Sequence, residues 1–213
     1  MKQKFIEILK STNRKGMDNV LAKLEELGFY EAPASTKFHL AYKGGLLEHS
    51  MNVYSAALVL KQQAVCWLPD HKKQLGDLNL LCRFNMALDE ELPLDSIAIC
   101  ALLHDVCKTD VYKEAMLNRK NEAGFWEKYQ GYAVDYETGL PIGHGEKSVI
   151  MLLSWGLELK PEEMLAIRWH MTAWDLPMQS PEHKGCFDAA KKKTPLVSLL
   201  QLADGFASGL VER

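Results

Sequence analysis

The 213-residue chain is predicted to be an all-α protein, a helical bundle with one small irregular or β-hairpin insertion around residues 111–142. Three observations predict it. Apolar residues recur at helical spacing along most of the chain, as in "MDNVLAKLEELGF", where Val20, Leu21, Leu24 and Leu27 share a face and Gly28 supplies the stop. A second segment, "LDSIAICALLHDVCK", runs through seven consecutive apolar residues, Ile97 to Leu103, which fits a helix at the centre of a bundle. Only "EAGFWEKYQGYAVDYETGLPIGH" crowds aromatics and turn formers together, the composition of a short hairpin or ordered loop.

The elements follow in order. Residues 1–34 read as a helical extension, beginning with the amphipathic "MKQKFIEILK". Gly44-Gly45 breaks the chain before "LLEHSMNVYSAALVLKQQ", a long helix with His49 in its first turns. Asp95 is the expected N-cap of the central helix, whose end carries His104 and Asp105. Helical patterning resumes at "EKSVIMLLSW" and stops at Gly156. In "KPEEMLAIRWH", Pro161 suits a first helical turn, and His170 falls about two turns later. In "KTPLVSLLQLADGFASGL", Thr194 is the expected N-cap, Pro195 the first helical residue, and Asp204 lies on the third turn. "LPDHKKQLGD" and "AAKKKT" read as exposed loops.

No repeat, low-complexity stretch or linker marks a boundary, and 47% hydrophobic content fills one core, so residues 1–213 are expected to form one domain. A net charge of −3 leaves no general electrostatic footprint for nucleic acid or membrane. No apolar run approaches the ~18 residues of a membrane span, and the charged N-terminal segment lacks a secretory apolar core. Five cysteines without a CxxC pair fit a reducing compartment, so a cytoplasmic location is expected. Cys100 and Cys107 are read as small core residues.

Five helical segments thus each deliver an ionisable group into apolar surroundings: His49, His104-Asp105, His144, His170 and Asp204. Singly, each has a bland reading as a core or rim residue. Together they pose a physical problem, because a carboxylate buried in "LLQLADGFA" needs a cation or strong donors, and so does the dyad after seven apolar residues. Divalent metal answers both. The mixed nitrogen and oxygen set suits one or two ions of Fe, Mn, Ni, Co, Zn or Mg. If Asp105 bridges them, His49, His104 and Asp204 hold one ion and His144 and His170 the other. Such a pair activates water and clamps a phosphoryl oxygen, and Lys108 offers a point charge to a substrate phosphate.

His49, His104-Asp105 and Asp204 resemble the H…HD…D signature of the HD-domain metal-dependent phosphohydrolases, and "HDVCK" resembles that superfamily's HDxxK segment. The similarity extends to "KFHLAYKGGLLEHS", "GHGEKS" and "LLQLADGFAS", which look like the HD module of the YhaM-type 3′-to-5′ exoribonucleases, over roughly residues 35–210. The resemblance implies an HD core in that range, Asp105 and Lys108 as catalytic residues, and the six residues above as metal ligands. It also implies a small phosphorylated substrate, most simply a nucleotide, with short RNA or DNA as an extension. The exoribonuclease type carries an OB domain ahead of its HD module, where this chain has about 35 residues read as helical. Met171 follows His170 where that branch has a second adjacent histidine, and no GYP motif of the HD-GYP phosphodiesterases is present.

Arg168 and Lys43, beside motif residues, are further candidates for phosphate binding, and Lys147 is a third. Trp126, Tyr129 and Tyr132 are candidates for stacking on a base, although hairpin packing is the simpler reading. Glu48 and Glu146 are candidates to accept hydrogen bonds from ligand imidazoles. The alternative class is a nucleotide-sensing or scaffold protein that keeps a metal as a structural clasp.

Overall fold

A computed structural model describes residues 1–70, 89–135, 137, 139–171 and 180–212. The fold is mostly helical with one small two-stranded antiparallel sheet. The α-helices are α1 (Lys2–Ser11), α2 (Met17–Glu26), α3 (Gly45–Asp70), α4 (Leu94–Leu103), α5 (His144–Ser154), α6 (Pro161–Trp169), α7 (Pro181–Lys193) and α8 (Leu196–Phe206). The strands β1 (Tyr112–Lys120) and β2 (Trp126–Val134) form a hairpin, one of the two forms expected for the insertion between residues 111 and 142.

Helix α4 is the axis of the bundle. Every residue from Ser96 to Leu103 is buried, as its continuous apolar run requires, and α1, α3, α6 and α8 pack around it. Its start differs from expectation. Pro93 is the N-cap and Asp95 lies inside the first turn, where its carboxylate pairs with Arg14 at 2.8 Å and Lys160 at 3.2 Å. These partners outweigh burial and lower the Asp95 pKa below the ordinary carboxylate value. Arg14 also pairs with Glu163, whose side chain is fully buried, so α1–α2, α4 and α6 meet in one charged knot. The extension 1–34 therefore adds to the core, with Phe5, Leu9, Val20 and Leu24 fully buried.

Two other boundaries shift. Pro195 rather than Thr194 caps α8, although the Thr194 hydroxyl still accepts the Leu196 N–H at 3.2 Å. "AAKKKT", expected as a loop, forms the C-terminal turn of α7, where Lys191, Lys192 and Lys193 complement the helix dipole. Of the expected loop 68–77, residues 68–70 close α3 and the rest lie outside the described residues, as do His71 and Cys82. Cys100 and Cys107 are buried and free, as expected. No single described helix is long and apolar enough to cross a membrane.

Two close approaches position the site. Gly44 takes φ +88°, and at Gly45 a Cβ would overlap the Leu40 carbonyl, so the loop before α3 folds directly onto the helix start. At Gly145, in the first turn of α5, a Cβ would overlap the Arg168 carbonyl and stand 2.7 Å from that of Ile167. The start of α5 and the end of α6 are thereby in backbone contact.

Candidate metal centre

His104 and His170 arise from the same local device. Each is the C-cap residue of its helix, α4 or α6, where the last carbonyls lack intrahelical partners. Each donates its Nδ1–H to the carbonyl three residues back: His104 to Ala101 at 2.9 Å and His170 to Ile167 at 2.7 Å. That bond fixes the tautomer and leaves the Nε2 lone pair aimed away from the helix end, where that of His104 meets His49 Nε2 at 3.3 Å. Burial, which outweighs Asp105, keeps the His170 pKa below its ordinary value and the ring neutral. Its Nε2 is buried and has no hydrogen-bond partner, which is the condition of a nitrogen ready for a metal.

Asp105 sits at the centre. Its Oδ2 lies 3.4 Å from His104 Nε2 and 3.5 Å from His49 Nε2, while its Oδ1 contacts His144 Nε2 and stands 3.5 Å from His170 Nε2. The two oxygens of one carboxylate thus face two different histidine pairs, the disposition of a bridging ligand. Asp204, one side of α8, places Oδ1 3.2 Å from His49 Nε2. Four overlapping sets among the described residues bring their donor atoms within 4.8 Å of one another: His39, His49 and Glu212; His49, His104 and Asp105; His104, His170 and Asp204; Asp105, His144 and His170. These buried groups can hold a metal ion, and the nitrogen and oxygen donors fit a divalent transition metal or Mg.

The electrostatics favour a cation. Burial would raise the pKa of Asp105, but Lys108 and the neighbouring imidazoles hold it well below the ordinary range. Asp204 behaves likewise through His49 and the nearby rings. Burial opposes a charge on His49, yet its bonds to Asp204 and Glu212 push its pKa up to about 9. For His144, Cys107 and Asp105 outweigh burial and push it up to about 10. Asp105 and Asp204 are therefore ionised although buried, and the ionised carboxylate is the form that ligates a divalent ion.

Lys108 lies one 3-10 turn past Asp105 and pairs with its Oδ2 at 2.6 Å. Burial disfavours its charge, but Asp105 raises its pKa above the ordinary value, so the ammonium persists. Lys108 lines a cavity of about 400 Å³ with Asp105, His144, His170 and Asp204 on its wall. This volume is in the range of small-molecule sites.

The six expected ligands and Lys108 therefore come together, and two expected phosphate-binding residues do not. Arg168 pairs with Glu146 at 2.8 Å and packs on the Trp169 ring, because two residues along a helix turn a side chain about 200° from His170. Lys43 is exposed and pairs with Glu31 at 3.1 Å. Lys147 is buried against Asp110 at 2.6 Å. Trp126, Tyr129 and Tyr132 belong to β2, outside the described cavity wall.

The acceptor for His49 is also neither residue expected from sequence. Glu48 takes the Tyr42 hydroxyl at 2.7 Å and Glu146 takes Arg168, each being turned away from the adjacent ligand by the helical pitch. Glu212 does the work instead. A π-helical turn, Ala207–Val211, after α8 brings its carboxylate to His49 Nδ1 at 3.0 Å, with Asn52 donating to it at 3.0 Å. The sequence near Glu212 carries no local signal, since the contact depends on how α8 ends. His144 Nδ1 faces Cys107 Sγ at 3.6 Å, giving that buried cysteine a place beside a candidate ligand.

Comparison with known protein families, with curated proteins and with solved structures finds no match to this chain.

Proposed function

We propose that the protein is a metal-dependent phosphohydrolase of the HD-domain type, which cleaves a phosphomonoester or phosphodiester of a nucleotide or short oligonucleotide. The observation that carries this reading is Asp105, whose two oxygens face the Nε2 atoms of two separate pairs of histidines at the foot of a solvent-open cavity. His49, His104, Asp105 and Asp204 would hold one ion, and Asp105, His144 and His170 a second. When bound, such ions supply Lewis acidity and bring the pKa of coordinated water near 7.

The chain's own residues supply position and charge. The two C-cap histidines present fixed rings, so little reorganisation accompanies ligand binding. Lys108, held charged by Asp105, meets an incoming phosphoryl oxygen at the cavity wall. In the hydrolysis, a water oxygen bonds to phosphorus and gives up a proton to solvent, the ester P–O bond breaks, and the departing oxygen takes a proton from solvent. No side-chain nucleophile is needed. A clasp that only stabilises the fold would need neither an open cavity over the ligands nor a buried lysine on its wall.

Metal content per chain, measured by mass spectrometry beside a His104→Ala/Asp105→Ala double variant, tests the reading. One to two ions in the wild type and almost none in the variant, with hydrolysis of a phosphoester panel lost in Asp105→Ala, is the expected result. Wild-type protein that stays empty after incubation with manganese and iron overturns it. A nucleotide that raises thermal stability but is recovered unchanged with every metal would favour a sensing role.

A further inference from the structure

The loop ahead of α3 carries a feature that the metal centre does not explain. Phe38 is 84% exposed, yet it lies on the wall of the same cavity as Asp105 and Lys108. Its position is built rather than loose. The Ser35 hydroxyl accepts the Phe38 N–H at 2.9 Å and donates to the His39 carbonyl at 2.7 Å. The Ala34 N–H closes the loop on the Leu40 carbonyl at 3.1 Å, with Leu40 in the left-handed region at φ +46°. That same carbonyl occupies the space a Cβ would fill at Gly45. Three hydrogen bonds, the Leu40 conformation and the close approach at Gly45 thus hold the backbone that presents the Phe38 ring to water on the wall of the cavity that Lys108 lines.

The surroundings of the ring select among ligands. The wall is mixed, with Ala34 and Met171 beside the hydrogen-bonding groups of Ser35, His39, Gln201 and Ser208, so it can meet both the face and the edges of a ligand. A flat heterocycle with hydrogen-bonding edges suits one aromatic face among polar neighbours. Gly205 on α8, also on the wall, has no atom within 4 Å of where a Cβ would stand, so the cavity is open on that side.

We propose that Phe38 is a stacking platform for the nucleobase of the substrate, and so a specificity-determining residue of the cavity. This rests on the phosphohydrolase reading for the phosphate end of the ligand, while the base end stands on the loop and the cavity wall. The base is read by its π face, which every base offers, so the platform favours nucleotides as a class over other phosphate esters.

The test compares adenosine 5′-monophosphate with ribose 5-phosphate, which keeps the phosphate ester and lacks the base, on manganese-loaded wild type, Phe38→Ala and Phe38→Trp. Both kcat/KM and calorimetric Kd are measured. The wild type is expected to favour the nucleotide, and Phe38→Ala to reduce that preference roughly 5- to 100-fold, mainly through KM. Phe38→Trp is expected to retain it. A preference unchanged in Phe38→Ala, or no preference in the wild type, overturns the proposal. If neither ester is hydrolysed, the phosphomonoesterase form of the phosphohydrolase reading fails, and the Kd ratio of the two compounds still decides the role of Phe38.

Discussion

His49 Nδ1 lies 3.0 Å from a carboxylate oxygen of Glu212, a residue 163 positions away in the chain. The bond joins the start of α3 to the turn after α8 and fixes which nitrogen of His49 faces Asp105 and Asp204. Removing a partner of this kind typically lowers metal affinity 10- to 100-fold. Glu212→Ala is therefore expected to weaken metal binding by about that factor, with Glu212→Asp recovering part of it. Competition with a chelator of known affinity measures the change. Unaltered affinity in Glu212→Ala would remove Glu212 from the site.

Gly145 separates the two halves of the centre experimentally. A Cβ at this position would overlap the Arg168 carbonyl and press on that of Ile167, the acceptor for His170. Gly145→Ala is expected to displace His144 and His170 together and to lower metal content from two ions to one, leaving the His49, His104 and Asp204 side occupied. The strain is of the order of overpacking, about 1–3 kcal/mol in stability. Gly185→Ala, with nothing within 4 Å of its Cβ, is the control and is expected to leave metal content unchanged. Equal metal content in both variants would contradict this account.

The protonation of the site gives a signed pH dependence for metal-free protein. Asp105, Asp204 and Glu212 have folded pKa values below the ordinary range, so their contribution is present above about pH 4 and lost as pH falls further. His49 and His144, raised to about 9 and about 10, contribute fully below about pH 6.5 and lose that contribution as pH rises through those values. Metal-free stability is thus expected to peak on the acid side of neutrality. Metal ligation needs neutral rings, so loading at pH 7 is expected to release about two protons per chain. Titration calorimetry in buffers of different ionisation enthalpy counts them. A count near zero would mean that His49 and His144 are not ligands.

Arg14 tests whether the N-terminal helices belong to the core energetically. It pairs with the fully buried carboxylate of Glu163, which also takes the Ser96 hydroxyl at 2.6 Å. Arg14→Ala leaves that charge buried with only neutral donors, and a loss of about 3–5 kcal/mol in a urea titration is expected. Adding Glu163→Gln is expected to restore part of the loss, because the uncompensated charge is then gone. No recovery would place the cost in packing instead.

The helical class, the hairpin and the metal-ligand candidates were legible in the sequence because each is written in short-range pattern. Apolar periodicity names a helix wherever it occurs, and ionisable residues at the ends of apolar runs stand out against burial cost. His104 and His170 lie at helix ends, and there the local chemistry of unpaired carbonyls already sets the ring. Sequence adjacency failed as a guide to contact for Glu48, Glu146, Arg168 and Lys43, because helical pitch or loop direction turns a neighbour's side chain away from a ligand.

What only the tertiary structure decided are the pairings between distant segments. Glu212 reaches His49 because the chain ends α8 with a π turn, and Phe38 reaches the cavity because Gly45 admits the Leu40 carbonyl. Neither contact has a period or a spacing. Each follows from where packed helices leave a backbone, and a linear pattern of residue types carries that information only once the core around α4 has formed.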